Sequence, residues 1–101
     1  MEYFLNTDRI GFSRWTEEDF PLAQSLWGET AVTRYICATG SFSQSDIESR
    51  LKQELANDAA FGFQYWPIFE LASGEFLGCC GLRPRGDRQY ELGFHLRPQF
   101  W

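Results

Sequence analysis

Positive charge and metal-ligating side chains are both scarce in this chain of 101 residues, and each shortage closes off a class of function. Nine lysines and arginines against 14 acidic residues leave a net charge of -5, so the basic stripe that neutralises nucleic-acid phosphates has little to be built from. Neither DNA nor RNA is expected as a partner. A single histidine and three cysteines, Cys37, Cys79 and Cys80, with no Cys-x-x-Cys spacing, are too few ligands for a structural zinc site, and no metal is expected. Adjacent Cys79 and Cys80 point to opposite faces of a strand, which strains a mutual disulfide, so free thiols are the expectation. No apolar run approaches the roughly 20 residues of a membrane-spanning helix. Met1 to Asn6 lack the basic start and apolar core of a secretory leader. The expected location is therefore cytoplasmic, with no membrane partner. Neither standard phosphate-cradling glycine motif occurs, and there is no repeat, low-complexity tract or linker.

What the chain does have is apolar and aromatic material, 44% and 18% of its residues, enough for one core. Residues 4–14 alternate loosely around Leu5, Ile10 and Phe12 and predict a first strand with a polar interruption. Thr16 is a candidate N-cap followed by Glu17, Glu18 and Asp19, where a helix dipole favours negative charge. Phe20, Ala23, Leu26 and Trp27 recur at helical spacing, so a helix is expected from about Glu17 to Trp27, stopped by Gly28. A second short helix is placed within Glu29 to Ile36, with Val32, Tyr35 and Ile36 on one side. Ser43 and Ser45 stand at the capping-box interval from Asp46 and Glu48, and Ile47, Leu51 and Leu55 recur every four residues, which predicts a third helix. Its other face, Glu48, Arg50, Lys52, Gln53 and Glu54, is charged and is expected to be solvated. From Phe63 the texture is that of strands: Phe63 to Leu71, a Ser73-Gly74 turn, Phe76 to Arg83, a turn at Pro84 to Asp87, and a closing strand. These predict an antiparallel three-stranded meander after two or three helices. Pro67 cannot donate to a ladder, so it must sit at a bulge or turn its nitrogen away from its neighbour.

The closing strand carries the pattern of most interest. Tyr90, Leu92, Phe94 and Leu96 alternate with Glu91, Gly93, His95 and Arg97, so the apolar set is expected in the core and the polar set is open to chemistry. Pro98 ends the strand. Glu91 and His95 lie roughly 13 Å apart along it at the usual strand rise, too far for direct proton exchange. They either flank a substrate or line a solvated or helix-covered face. Cys79 and Cys80 are candidate nucleophiles only in an electropositive setting, and otherwise small hydrophobes. Arg83, Arg85 and Arg88 form a basic cluster that could meet phosphates or an acidic partner, or simply solvate a turn.

Taken together, Thr7-Asp8-Arg9-Ile10, Trp15-Thr16-Glu17-Glu18-Asp19, Tyr65-Trp66-Pro67-Ile68, Gly74-Glu75-Phe76-Leu77-Gly78 with Cys80-Gly81-Leu82-Arg83, and the stretch from Glu91 to Trp101 resemble the GCN5-related N-acetyltransferases (GNAT). The ribosomal-protein N-terminal acetyltransferases are the branch they resemble most. The resemblance implies an α/β fold with a mixed, mostly antiparallel sheet and direct transfer of acetyl from acetyl-CoA to a primary amine of a peptide or small molecule. It implies that the strand backbone at Phe94, His95 and Leu96 pairs with the pantetheine arm and polarises the thioester. It places Glu91 where a catalytic residue helps take the amine proton, with Trp66 and Arg83 near the acceptor. In the family a glycine-rich loop and a helix start, which bind the CoA pyrophosphate, follow the aromatic pair matching Phe100 and Trp101. A later parallel strand and a tyrosine that protonates the leaving thiolate also follow. None of these is present, so residues 1–101 are expected to be the N-terminal portion of one such domain, weak or inactive alone. The alternative is a non-catalytic, self-associating module that kept the scaffold. In either case a homodimer through the closing strand is expected.

Overall fold

Five strands hydrogen-bond in chain order into one antiparallel sheet in the computed structural model, which describes residues 2–34, 36 and 39–101. They are β1 (Leu5–Asn6), β2 (Ile10–Phe12), β3 (Tyr65–Glu70), β4 (Phe76–Pro84) and β5 (Tyr90–Leu96). The expected three-stranded meander is β3 to β5, and the sheet is larger because the single first strand is in fact a hairpin. The Thr7 hydroxyl accepts from the Ile10 and Arg9 amides, at 3.0 and 3.3 Å, and folds the polar interruption into a turn. β2 then pairs with β3, joining the N-terminal hairpin to the meander.

Helices α1 (Phe20–Trp27), α2 (Thr30–Thr33) and α3 (Gln44–Phe61) lie between β2 and β3 in the sequence. The helix expected from Glu17 is divided. Thr16 and Asp19 cap each other, closing a 3-10 turn over Glu17–Asp19 before α1 starts with Pro21 in its first turn. Val32 of α2 is buried as expected, whereas Tyr35 and Cys37 lie outside the described residues. Ser43 and Asp46 form a reciprocal capping box on α3, and Gly62, at φ 79°, ends it in the left-handed conformation that glycine tolerates. Trp15, Leu26, Trp27, Ile47, Leu51, Tyr65, Phe69 and Phe76 make the core between the helices and one sheet face.

Two expectations about faces are overturned. Arg50 and Glu54 do not lie on a solvated face. Glu54 is fully buried, its carboxylate accepting from the Tyr65 amide at 2.8 Å and from Arg50 Nε at 2.7 Å. The first strand residue after α3 has an amide that no neighbouring strand receives, and this carboxylate satisfies it. The apolar side of β5 is not in the core either: Tyr90, Leu92 and Phe94 are 59%, 74% and 66% exposed. Register explains the inversion. Glu91, Gly93 and His95 sit opposite Arg83, Gly81 and Cys79, on the face where Tyr65 and the helices pack, and a ring as large as that of Tyr65 fits there because Gly93 has no side chain. Pro67 behaves as its chemistry requires. Its carbonyl accepts from the Ser13 amide at 3.0 Å, so its nitrogen faces the same way, past the end of β2 and away from β4.

Candidate functional site

β5 is the last strand of the sheet, and its phase on β4 determines which backbone groups are free. The Arg97 amide donates to the Leu77 carbonyl and the Arg85 amide to Gln89, so Glu91, Gly93, His95 and Arg97 direct their backbone groups toward β4. Leu92, Phe94 and Leu96 direct theirs outward. The indole of Trp101 shows this directly, donating to the Leu96 carbonyl at 2.9 Å. Of the three residues expected to hold a cofactor by backbone, Phe94 and Leu96 direct their groups outward, the Leu96 carbonyl being taken by Trp101, and His95 is paired with Cys79.

Behind this edge, on the helix side of the sheet, Tyr65 joins the two polar residues of β5. Its hydroxyl lies 3.2 Å from Glu91 Oε1, and its ring meets the His95 imidazole edge-on with centroids 5.5 Å apart. The gap that separates Glu91 from His95 along the strand is thus filled by one phenol. The guanidinium carbons of Arg50 and Arg83 each stand 5.2 Å from the centre of that ring. Arg85, from the β4–β5 turn, reaches back to Glu91 Oε2. Arg83 and Glu91, both expected site residues, are direct neighbours across the β4–β5 ladder. Trp66 is not with them. It lies on the opposite sheet face, packed against Phe4 and Phe12 with ring centroids 5.3 and 6.4 Å away.

The electrostatics follow from these contacts. The hydrogen bonds from Arg85 and then Tyr65 hold the Glu91 carboxyl below its ordinary range, so it is a carboxylate at neutral pH. Burial raises the Tyr65 phenol, and Glu91 adds to the rise against the opposing pull of Arg83. Burial, helped by Arg50 and Arg83, lowers His95 to about 4. The imidazole is neutral, and since the Trp27 indole can only donate, at 3.2 Å, His95 Nδ1 accepts and Nε2 carries the proton. Burial pushes both the Cys79 and Cys80 thiols up, which removes the case for either as nucleophile.

Tyr65, Arg50 and Trp27 were not singled out as site residues from the sequence, because only strand register and helix docking bring them to Glu91 and His95. Among the described residues no helix is long and apolar enough to cross a membrane.

Solved structures that share the fold include three acetyltransferases. A GNAT-family acetyltransferase from Bacillus anthracis is 16% identical with a TM-score of 0.73, over 94% of this chain and 54% of that one. A putative GNAT-family acetyltransferase from Bordetella pertussis is 18% identical with a TM-score of 0.72, over 94% and 60%. An acetyltransferase from Agrobacterium tumefaciens str. C58 is 24% identical with a TM-score of 0.70, over 93% and 54%. The chain thus spans between half and three-fifths of the length of these proteins. No curated protein matches. Residues 9–101 match the acetyltransferase (GNAT) domain family, and the chain belongs to that family.

Proposed function

We propose that these residues form the cofactor-strand and acceptor-face portion of an N-acetyltransferase. It would move acetyl from acetyl-CoA to a primary amine of a protein N-terminus or small molecule, in the manner of the ribosomal-protein N-terminal acetyltransferase branch that the sequence resembles. The carrying observation is the open β5 edge beside the Glu91–Tyr65 pair. A pantetheine arm is a run of amides, and an open strand edge is what pairs with such a run. The outward groups of Phe94 and Leu96 fit it, and their N–H groups are donors for a carbonyl lying alongside. Acetyl-CoA would supply the activated acetyl thioester. Glu91, held ionised, attracts the acceptor ammonium and holds a water that can take its proton; Arg85 and Tyr65 keep the carboxylate in place. The buried, protonated thiols favour direct transfer without a cysteine intermediate.

Among the described residues only a three-residue 3-10 turn, Pro98–Phe100, follows β5, and no α-helix starts there for the pyrophosphate, so acetyl-CoA should bind these residues more weakly than micromolar. Titration with acetyl-CoA, followed by backbone NMR, should move the Phe94 and Leu96 amides and the Trp101 indole N–H, which must release the Leu96 carbonyl. Those signals staying fixed at saturation would overturn the assignment.

The exposed Tyr90, Leu92 and Phe94 support a second property, a homodimer in which two β5 edges pair antiparallel about a two-fold axis. Both uses need the same backbone groups, so acetyl-CoA should dissociate the dimer. Light scattering over a concentration series, with and without acetyl-CoA and with Phe94→Lys, tests this. A species that stays monomeric throughout refutes it. The family match favours the enzyme over a scaffold that has lost its cofactor site.

A further inference from the structure

We infer that the amine acceptor carries a carboxylate and that Arg83 is the group that recognises it. The inference rests on the acetyltransferase reading for the identity of the amine, and on charge accounting for the carboxylate. Around Tyr65 stand three guanidinium groups, Arg50, Arg83 and Arg85, and two carboxylates, Glu54 and Glu91. Glu54 is consumed by Arg50 and Glu91 by Arg85. Arg83 has no ion pair among the described residues, although Glu91 is its direct neighbour across the ladder. One cation is left over, half-buried, in a chain whose net charge is -5.

Behind it, Arg50 Nη2 is buried and has no hydrogen-bond partner, although the charge of Arg50 is paired with Glu54. A partly desolvated guanidinium with no contact ion pair among the described residues is costly, and the planar fork of arginine suits a carboxylate better than any neutral group. A single surplus charge matches a monoanion.

Position makes the pair selective. Residues directly opposite on antiparallel strands have Cβ atoms about 5 Å apart, so the carboxylate that draws an ammonium and the guanidinium that draws an anion stand side by side. An acceptor whose amine and carboxylate are a few bonds apart can engage Glu91 and Arg83 together. Two sources have that chemistry: the α-carboxylate of a free amino acid, and the side chain of an acidic residue at a peptide N-terminus.

The test is binding to the full chain, which does not depend on turnover. Arginine Nε–H signals are followed by NMR during titration with alanine, with the C-terminal amide of Asp-Ala, and with the C-terminal amide of Ala-Ala, which has no carboxylate. The Arg83 signal should move for one or both carboxylate-bearing amines, with at least ~10-fold tighter binding than for the carboxylate-free amide. Which of the two binds identifies the source. Arg83→Gln should abolish the preference with little change in thermal midpoint, and Arg83→Lys should restore part of it. Equal binding of carboxylate-free and carboxylate-bearing amines, a preference that survives Arg83→Gln, or no binding of any of the three overturns the inference. The acetyl-CoA titration at β5 is judged separately, so failure of the cofactor assignment and failure of this one are distinguishable.

Discussion

Replacing Glu54 with leucine should cost this small fold a large share of its stability, and the structure says why. The carboxylate is fully buried from solvent and takes the Tyr65 amide on one oxygen and Arg50 Nε on the other. Leucine fills the volume but strands a buried amide and leaves Arg50, already short of a partner at Nη2, with no counter-ion. Breaking one side of a buried ion pair typically costs ~3–5 kcal/mol, and stranding a buried N–H ~1–3 kcal/mol. The two overlap, so a loss of at least ~3 kcal/mol is expected from a total of about 5–15 kcal/mol for a domain of this kind. Removing both charges with Arg50→Met and Glu54→Leu should leave only the stranded amide, a loss of ~1–3 kcal/mol. The double variant should therefore be more stable than the single. Urea denaturation and thermal melting of the four members of the cycle measure this, with the single variant melting roughly 12 °C or more below wild type at 4–8 °C per kcal/mol. A Glu54→Leu variant within ~1 kcal/mol of wild type, or a double variant weaker than the single, would refute the reasoning.

Gly93→Ala puts a methyl group onto the Tyr65 hydroxyl, so it should cost ~1–3 kcal/mol by overpacking and break the hydrogen bond to Glu91. Melting and the tyrosine absorbance titration report the two effects. His95 gives a pH dependence whose sign follows from its lowered value of about 4 against 6.5 in the unfolded chain. The unfolded state binds the extra proton, so this contribution is intact above pH 6.5 and is lost as pH falls toward 4. That interval corresponds to about 3 kcal/mol; urea midpoints across it should fall for wild type and be markedly flatter for His95→Asn.

The order and kind of elements could be read from the chain because they rest on local chemistry. The capping box at Ser43 and Asp46 and the left-handed Gly62 bound α3 whatever packs on it. Facing was another matter, and the two errors have different origins. On α3 the spacing itself held the answer. Counting from Ile47, Arg50, Leu51 and Glu54 fall at intervals of three, four and seven, which is one stripe of a helix, and Asn57 continues it as a buried residue. Hydropathy alone would discard Arg50 and Glu54 from that stripe. The geometry keeps them, because a strand start needs a carboxylate beneath it.

On β5 the sequence contained no such answer. Alternation establishes that Tyr90, Leu92 and Phe94 share a face, but the choice of face depends on which side the helices land, and that is decided by register between strands far apart in the chain. The deciding residues are small. Gly81 pairs with both Tyr65 and Gly93; without a side chain at Gly81 the β3 backbone at Gln64 can approach, and without one at Gly93 the Tyr65 ring can lie across to reach Glu91. Any larger residue at Gly93 would displace the ring, and with it the one contact that ties the carboxylate of β5 to the core. The polar face therefore goes inward because the tyrosine needs a floor, and the apolar face goes outward as the consequence. The site and the exposed patch have a common origin: the register that assembles Tyr65, Glu91, Arg83 and His95 on one face leaves Leu92 and Phe94 uncovered on the other.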